Sequence, residues 1–228
     1  MEYSLSHPYI SVDYGGRPSY GGSQMKSGSK TVSGAGCGLV AGLDLLLYLL
    51  RVNGGSCGFP IDKLTETEKS LPAGVYNLAL KELRRCLPLI PGHGINGLFL
   101  SLGLNAFFVR HRLPYSVSWG VPYKKLWPTV QRMLEQDLPV VFSIGPNFPR
   151  IWKREKLALY AERPGGEKTE ADRTQAHYVT VTGMDERWLR ISSWGRMFYI
   201  DKGEFLRFVQ ESSTRLFSNI LVVHKKAV

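Results

Sequence analysis

The order of residue patterns along the chain predicts an α+β fold with segregated halves. Apolar runs long enough for helices fill the first half of the 228-residue chain. Short segments rich in Val, Ile, Phe and Tyr, joined by short polar connections, fill the second half. Helices that precede a run of strands, rather than alternate with them, favour α+β over a doubly wound parallel sheet. The length fits one domain. It divides into an irregular lead-in over 1–36, a helical half over about 37–105 and a mainly sheet half over about 106–228.

The lead-in carries Gly-Gly at 15–16 and 21–22 and then S-G-S-K-T-V-S-G-A-G, a composition that gives loops. A helix is expected to start at Cys37. Its sequence, G-L-V-A-G-L-D-L-L-L-Y-L-L-R from Gly38, is apolar almost all round and so should be buried. Asn53-Gly54-Gly55 ends it. Further helices are expected over Ala73–Arg85, Ile95 to about Leu104, Tyr123–Gln136 and Lys202–Gln210. Strands are expected over Ala106–Arg110, Tyr115–Trp119, Leu138–Ile144, His177–Thr182, Trp188–Ser192, Met197–Ile200 and Leu216–His224.

Bulk properties exclude several classes. With 43% hydrophobic and 21% charged residues, the composition is neither disordered nor fibrous. The longest apolar stretch, Leu39 to Leu50, is broken by Asp44 and falls short of the ~20 residues of a membrane span. The polar N-terminus has no apolar signal segment, so the expectation is a cytoplasmic protein without a membrane partner. Cys37, Cys57 and Cys86 are odd in number and lack C-x-x-C spacing, which argues against a disulfide framework and a zinc cluster. No metal or cofactor is implied. The net charge is +10, with its densest basic patch at Arg150 to Lys156. No recognised nucleic-acid motif accompanies it, and a solvated basic surface accounts for it.

Two segments carry candidate chemistry. Gly36-Cys37-Gly38 places a thiol at a helix N-terminus, where partial positive charge and unpaired N–H groups favour a thiolate. The flanking glycines, Gly36 and Gly38, would line the site and give a substrate carbonyl room, and the Cys37 N–H could donate to its oxyanion. A buried structural cysteine fits the segment equally well. Ala176-His177-Tyr178 opens an apolar strand, and a histidine is the usual base for a thiol at neutral pH. His177 lies 140 residues after Cys37, within the ~130–150 typical of papain-type pairs. Cys57 and Cys86 read as structural or incidental thiols.

One strand further on, W-L-R-I-S-S-W-G ends at Gly195. These residues resemble the papain-like cysteine peptidase superfamily, in which an Asn-Ser-Trp-Gly segment follows the histidine strand. The nearest branch is similar to the bacterial peptidases that process double-glycine leaders. It shares the G-C-G helix start, the Leu134…Leu138-Pro139-Val140-Val141 segment and the H-Y-V-T-V-T-G strand from His177 to Gly183. The resemblance implies a papain-like fold, with Cys37 as nucleophile and His177 as base. It puts Ser192 where the orienting Asn would stand, with Trp194 packed over the histidine. It also implies an oxyanion glutamine, for which Gln24 is the only upstream candidate, 13 residues before Cys37. Asp185 and Asp201 are alternative orienting groups. The implied function is a thiol-dependent hydrolase acting on a peptide or small amide. The rivals are an acyltransferase on the same scaffold and an inactive papain-like binding protein.

Overall fold

The computed structural model describes residues 1–53 and 70–226. In chain order the lead-in contributes two short strands, β1 (Tyr3–Ser4) and β2 (Val12–Asp13), a 3₁₀ turn at Gln24–Lys26, and α1 (Lys30–Ala35). Then come α2 (Cys37–Asn53), β3 (Leu71–Pro72), α3 (Ala73–Leu83), α4 (Gly97–Arg110), β4 (Tyr115–Trp119) and α5 (Leu126–Glu135). The remainder is β5 (Val140–Ile144), β6 (Leu157–Glu162), β7 (Lys168–Thr174), β8 (His177–Met184), β9 (Trp188–Ser193), β10 (Arg196–Asp201), α6 (Lys202–Ser212) and β11 (Ile220–Lys225). The chain is therefore α+β, with most helices ahead of most strands.

The large sheet runs β4-β11-β5-β8-β9-β10-β6-β7, with β1 paired to the far end of β8. Every pairing in it is antiparallel. Its central strands are buried on both faces. All five residues of β5 and seven of eight in β8 are buried, which is why they read as continuous apolar or Thr-Val runs. The helix α2 packs on β8. Its residues Leu43, Leu45, Leu46 and Leu47 are fully buried in one hydrophobic cluster that also takes in Phe107, Phe142 and Ile191. Each such side chain contributes roughly 1.5–3 kcal/mol by leaving water.

Three expectations are corrected. Ala106–Arg110 is the last part of α4, not a strand. The Asn96 side chain caps that helix by accepting from the Phe99 N–H at 2.9 Å, and Phe107 and Phe108 bury from one helical face. A run of aromatics and Val has strand propensity, but its burial at helical spacing overrides this. The hairpin β6–β7 is not among the expected strands; its outer strand β7, K-T-E-A-D-R-T, is an exposed edge with no apolar face to mark it. The lead-in is not wholly irregular, since Ser29 caps α1 by accepting from the Val32 N–H. Gly54, Gly55 and Cys57 lie outside the described residues.

Candidate active site

Two chain-distant segments meet at one end of the sheet. Cys37 is the first residue of α2, and the Gly36 carbonyl accepts the Val40 N–H at 2.9 Å to open the helix. His177 is the first residue of β8. Both line one narrow cavity, whose walls also include Gly22, Gln24, Asp44, Ser192, Ser193 and Trp194. Of the residues singled out from sequence, the structure thus brings together Cys37, His177, Ser192, Gln24 and Trp194. Backbone strain sits on both sides of the histidine. Ala176 (φ +48°) and Trp194 (φ +51°) are non-glycine residues in the left-handed region, at a cost of order 1–3 kcal/mol each.

The imidazole is held from two directions. Trp194 stacks on it, with ring centroids 4.7 Å apart and planes inclined by 25°. The second contact is a hydrogen bond of 2.8 Å between His177 Nε2 and the hydroxyl of Ser193, not Ser192. Strand geometry explains the correction. Ser192 lies opposite Thr180, three residues from His177, so the two-residue period puts Ser192 and His177 on different faces. Ser193 falls on the histidine's face. Ser192 instead donates to the Tyr20 carbonyl at 2.7 Å and fastens the lead-in to the sheet.

Neither alternative orienter reaches the ring. Asp185 accepts from the N–H groups of Arg187 and Trp188 in the turn after β8. Asp201 caps α6 and pairs with Arg187 at 2.7 Å. Both stand at the far end of their strands, roughly 25 Å from His177 at ~3.3 Å per residue.

Gly36 and Gly38, expected to line the site, stand where a side chain has no room. A Cβ on Gly36 would come within 2.5 Å of the Val32 side chain and carbonyl. One on Gly38 would lie 2.7 Å from Ile95 and 3.1 Å from Tyr178. The space beside them is filled by protein.

The electrostatics also depart from expectation. Burial pushes the Cys37 thiol above its ordinary value, although the backbone amides of Tyr178, Gly38 and Cys37 itself work to lower it. The helix N-terminus acts in the expected direction but is outweighed by desolvation. Burial drives His177 down to about 4, opposed in part by the Asp172 carboxylate. Burial thus favours a neutral thiol and a neutral imidazole on the walls of the same cavity.

Asp44, in sequence only a break in an apolar run, lines the same cavity. Two turns along α2 from Cys37, it accepts from the Gly22 N–H at 3.0 and 3.1 Å, Tyr76 Oη at 2.8 Å and Tyr9 Oη at 3.2 Å. Burial raises its pKa to about 6 against these donors. Asp44 and Ser192 together anchor the strap Tyr20–Gln24 against the helix and the sheet. The strap ends on Gln24, whose Nε2 donates to the Ser33 carbonyl at 2.9 Å. A lone carboxylate amid leucines was the available signal, since a buried charge needs partners. For Ser193, nothing short of the strand register distinguishes it from its neighbour.

Scans of this chain against protein-family models and against curated proteins find no match.

Proposed function

We propose that this chain is a thiol-dependent hydrolase of papain-like design, cleaving an amide bond in a peptide or small amide. One observation carries the reading. A cysteine opening a buried helix and a histidine opening a central strand, 140 residues apart, line the same cavity, and the histidine is stacked and hydrogen-bonded in place. Ser193 occupies Nε2, so Nδ1 is the nitrogen that takes the thiol proton. As the sulfur bonds to the carbonyl carbon, His177 becomes imidazolium and the carbonyl oxygen becomes an oxyanion. The Cys37 N–H and the second amide proton of Gln24 are the donors for that oxyanion. The C–N bond then breaks, and the amine leaves with the proton from His177. Water, deprotonated by the same ring, hydrolyses the thioester. Activation is of the neutral-pair kind, in which the base acts during attack and no thiolate accumulates beforehand.

The test is turnover of a panel of peptide and acyl-amide substrates, with mapping of the adduct left by an electrophilic amide-like probe. Wild type should hydrolyse at least one class and carry the adduct on Cys37. Cys37→Ala and His177→Ala should both lose turnover by a factor of about 10³ or more. The raised thiol and the serine partner favour a second reading, a non-catalytic protein that binds an amide ligand. Saturable ligand binding without a thioester at Cys37 would select it.

A further inference from the structure

The loop after β5 leaves the sheet at the end that holds His177, because Ile144 pairs with His177 across β5 and β8. Residues 147–156 form a closed loop. Asn147 donates to the Glu155 carbonyl at 3.1 Å across its base, and Arg150 donates to the carbonyls of Gln210 and Glu211 at the end of α6. Phe148 packs edge-on against Phe217, with centroids 5.6 Å apart. These contacts tie the loop at its base and flank and leave its two most exposed apolar side chains at the tip. Ile151 and Trp152 are 76% and 75% exposed. Leu216, beside Phe217 on the neighbouring loop, is 64% exposed. Around the tip, Lys153, Arg154 and Lys156 contribute positive charge, with Glu155 the one carboxylate within the loop. Arg215 adds a further cation next to Leu216.

We propose that this Ile151–Trp152 tip, with Leu216 and its surrounding cations, docks the chain on an anionic lipid bilayer. Exposed apolar side chains cost free energy in water and gain it in the acyl region, Trp favours the headgroup boundary, and Lys and Arg pair with anionic headgroups. Two features favour lipid over other anionic partners. A peptide is gripped by walls, whereas these side chains project from loop tips. Single-stranded nucleic acid stacks successive bases on aromatic faces, and Trp152 is accompanied by two exposed aliphatic side chains, Ile151 and Leu216, that offer none. Insertion of side-chain tips requires no membrane-crossing helix, and no described helix is long and apolar enough to be one. Docking in this way would present the end of the sheet that carries Cys37 and His177 toward the bilayer. The proposal does not depend on the hydrolase reading.

The experiment is co-sedimentation of the full chain with vesicles of pure phosphatidylcholine or of phosphatidylcholine with about one-third phosphatidylglycerol, at low and high salt. Binding is expected to the anionic vesicles, weakened by salt because screened charges contribute less. Ile151→Ser with Trp152→Ser should reduce it by at least about tenfold, since both apolar anchors are lost. Lys153→Glu with Arg154→Glu should do the same. Leu98→Ser with Leu102→Ser, on the exposed face of α4, should pellet like wild type, and so should Cys37→Ala. Thermal melts should match wild type for all of these surface variants, which separates lost docking from lost folding. No pelleting with either vesicle, or unchanged pelleting of the Ile151/Trp152 variant, overturns the proposal. So does tighter binding to a single-stranded oligonucleotide than to the vesicles, which would assign the tip to nucleic acid.

Discussion

Ser192 and Ser193 are identical side chains in tandem, and one residue of register gives them unrelated partners. Ser193→Ala removes the hydroxyl from His177 Nε2 and leaves the stacking of Trp194 to orient the ring. Loss of one neutral hydrogen bond, worth ~1 kcal/mol, should lower kcat about five- to tenfold with KM little changed. Ser192→Ala frees the Tyr20 carbonyl instead, so its effect should appear as about 1 kcal/mol in the thermal melt. A silent Ser193→Ala beside an inactive but stable Ser192→Ala would return the orienting role to Ser192. Cys37 makes a second prediction at this scale. Because burial raises its thiol, alkylation by iodoacetamide should be slow at neutral pH and climb into the alkaline range. Peptide mapping of the adduct measures this. A fast rate that levels off near pH 6 would reveal a thiolate–imidazolium pair.

The strap Tyr20–Gln24 ends on Gln24, the oxyanion donor of the proposed mechanism, and its glycines are there for space. Gly21 has φ +77°, and a Cβ on it would lie 2.2 Å from Ser192 Oγ and 2.6 Å from an Asp44 carboxylate oxygen. Gly21→Ala should therefore displace the strap, costing about 2–4 kcal/mol by denaturant unfolding and cutting turnover more than Ser192→Ala does. An alanine variant as stable and active as wild type would show that the strap is free to move. Such a strap was hidden from sequence reading, because its bonds run to Asp44, Tyr76 and Ser192, which are remote in the chain. The helix α2 was readable, since seventeen residues of nearly unbroken apolar character state both its length and its burial. The strands β5 and β8 were readable for the same reason. The exposed edge β7 has no buried face to leave a pattern, and the end of α4 carries residues whose local preference opposes their state. Cys37 and His177 could be picked out because each begins an element, and Trp194 because it stands in the S-S-W-G segment that carries the resemblance. Asp44 and Ser193 are defined only by what the fold brings against them.

Over the whole molecule, two buried groups in one cavity titrate in opposite senses, and this sets a test of the fold that needs no substrate. Asp44 has a folded pKa of about 6 against an ordinary 3.8, so the folded chain holds its proton more tightly than the unfolded chain. Its contribution to stability is fully present below the unfolded value and is lost as pH rises through 6. His177 has a folded pKa of about 4 against an ordinary 6.5, so the folded chain resists its protonation. Its contribution is fully present above 6.5 and is lost as pH falls through 4. Each difference is worth about 3 kcal/mol at ~1.4 kcal/mol per pH unit, and the two windows nearly coincide. In wild type they should largely cancel between pH 7 and pH 4. Removing either exposes the other. Relative to wild type at the same pH, Asp44→Asn should lose a further ~3 kcal/mol on going from pH 7 to 4, because His177 is left uncompensated. His177→Gln should gain about as much over the same interval, because Asp44 is left. Referring each variant to wild type at each pH removes the titration of surface carboxylates. Urea unfolding at several pH values gives both slopes. Parallel profiles for the two variants would mean that these groups are not buried together, and the cavity that joins Cys37, His177 and Asp44 would have to be redrawn.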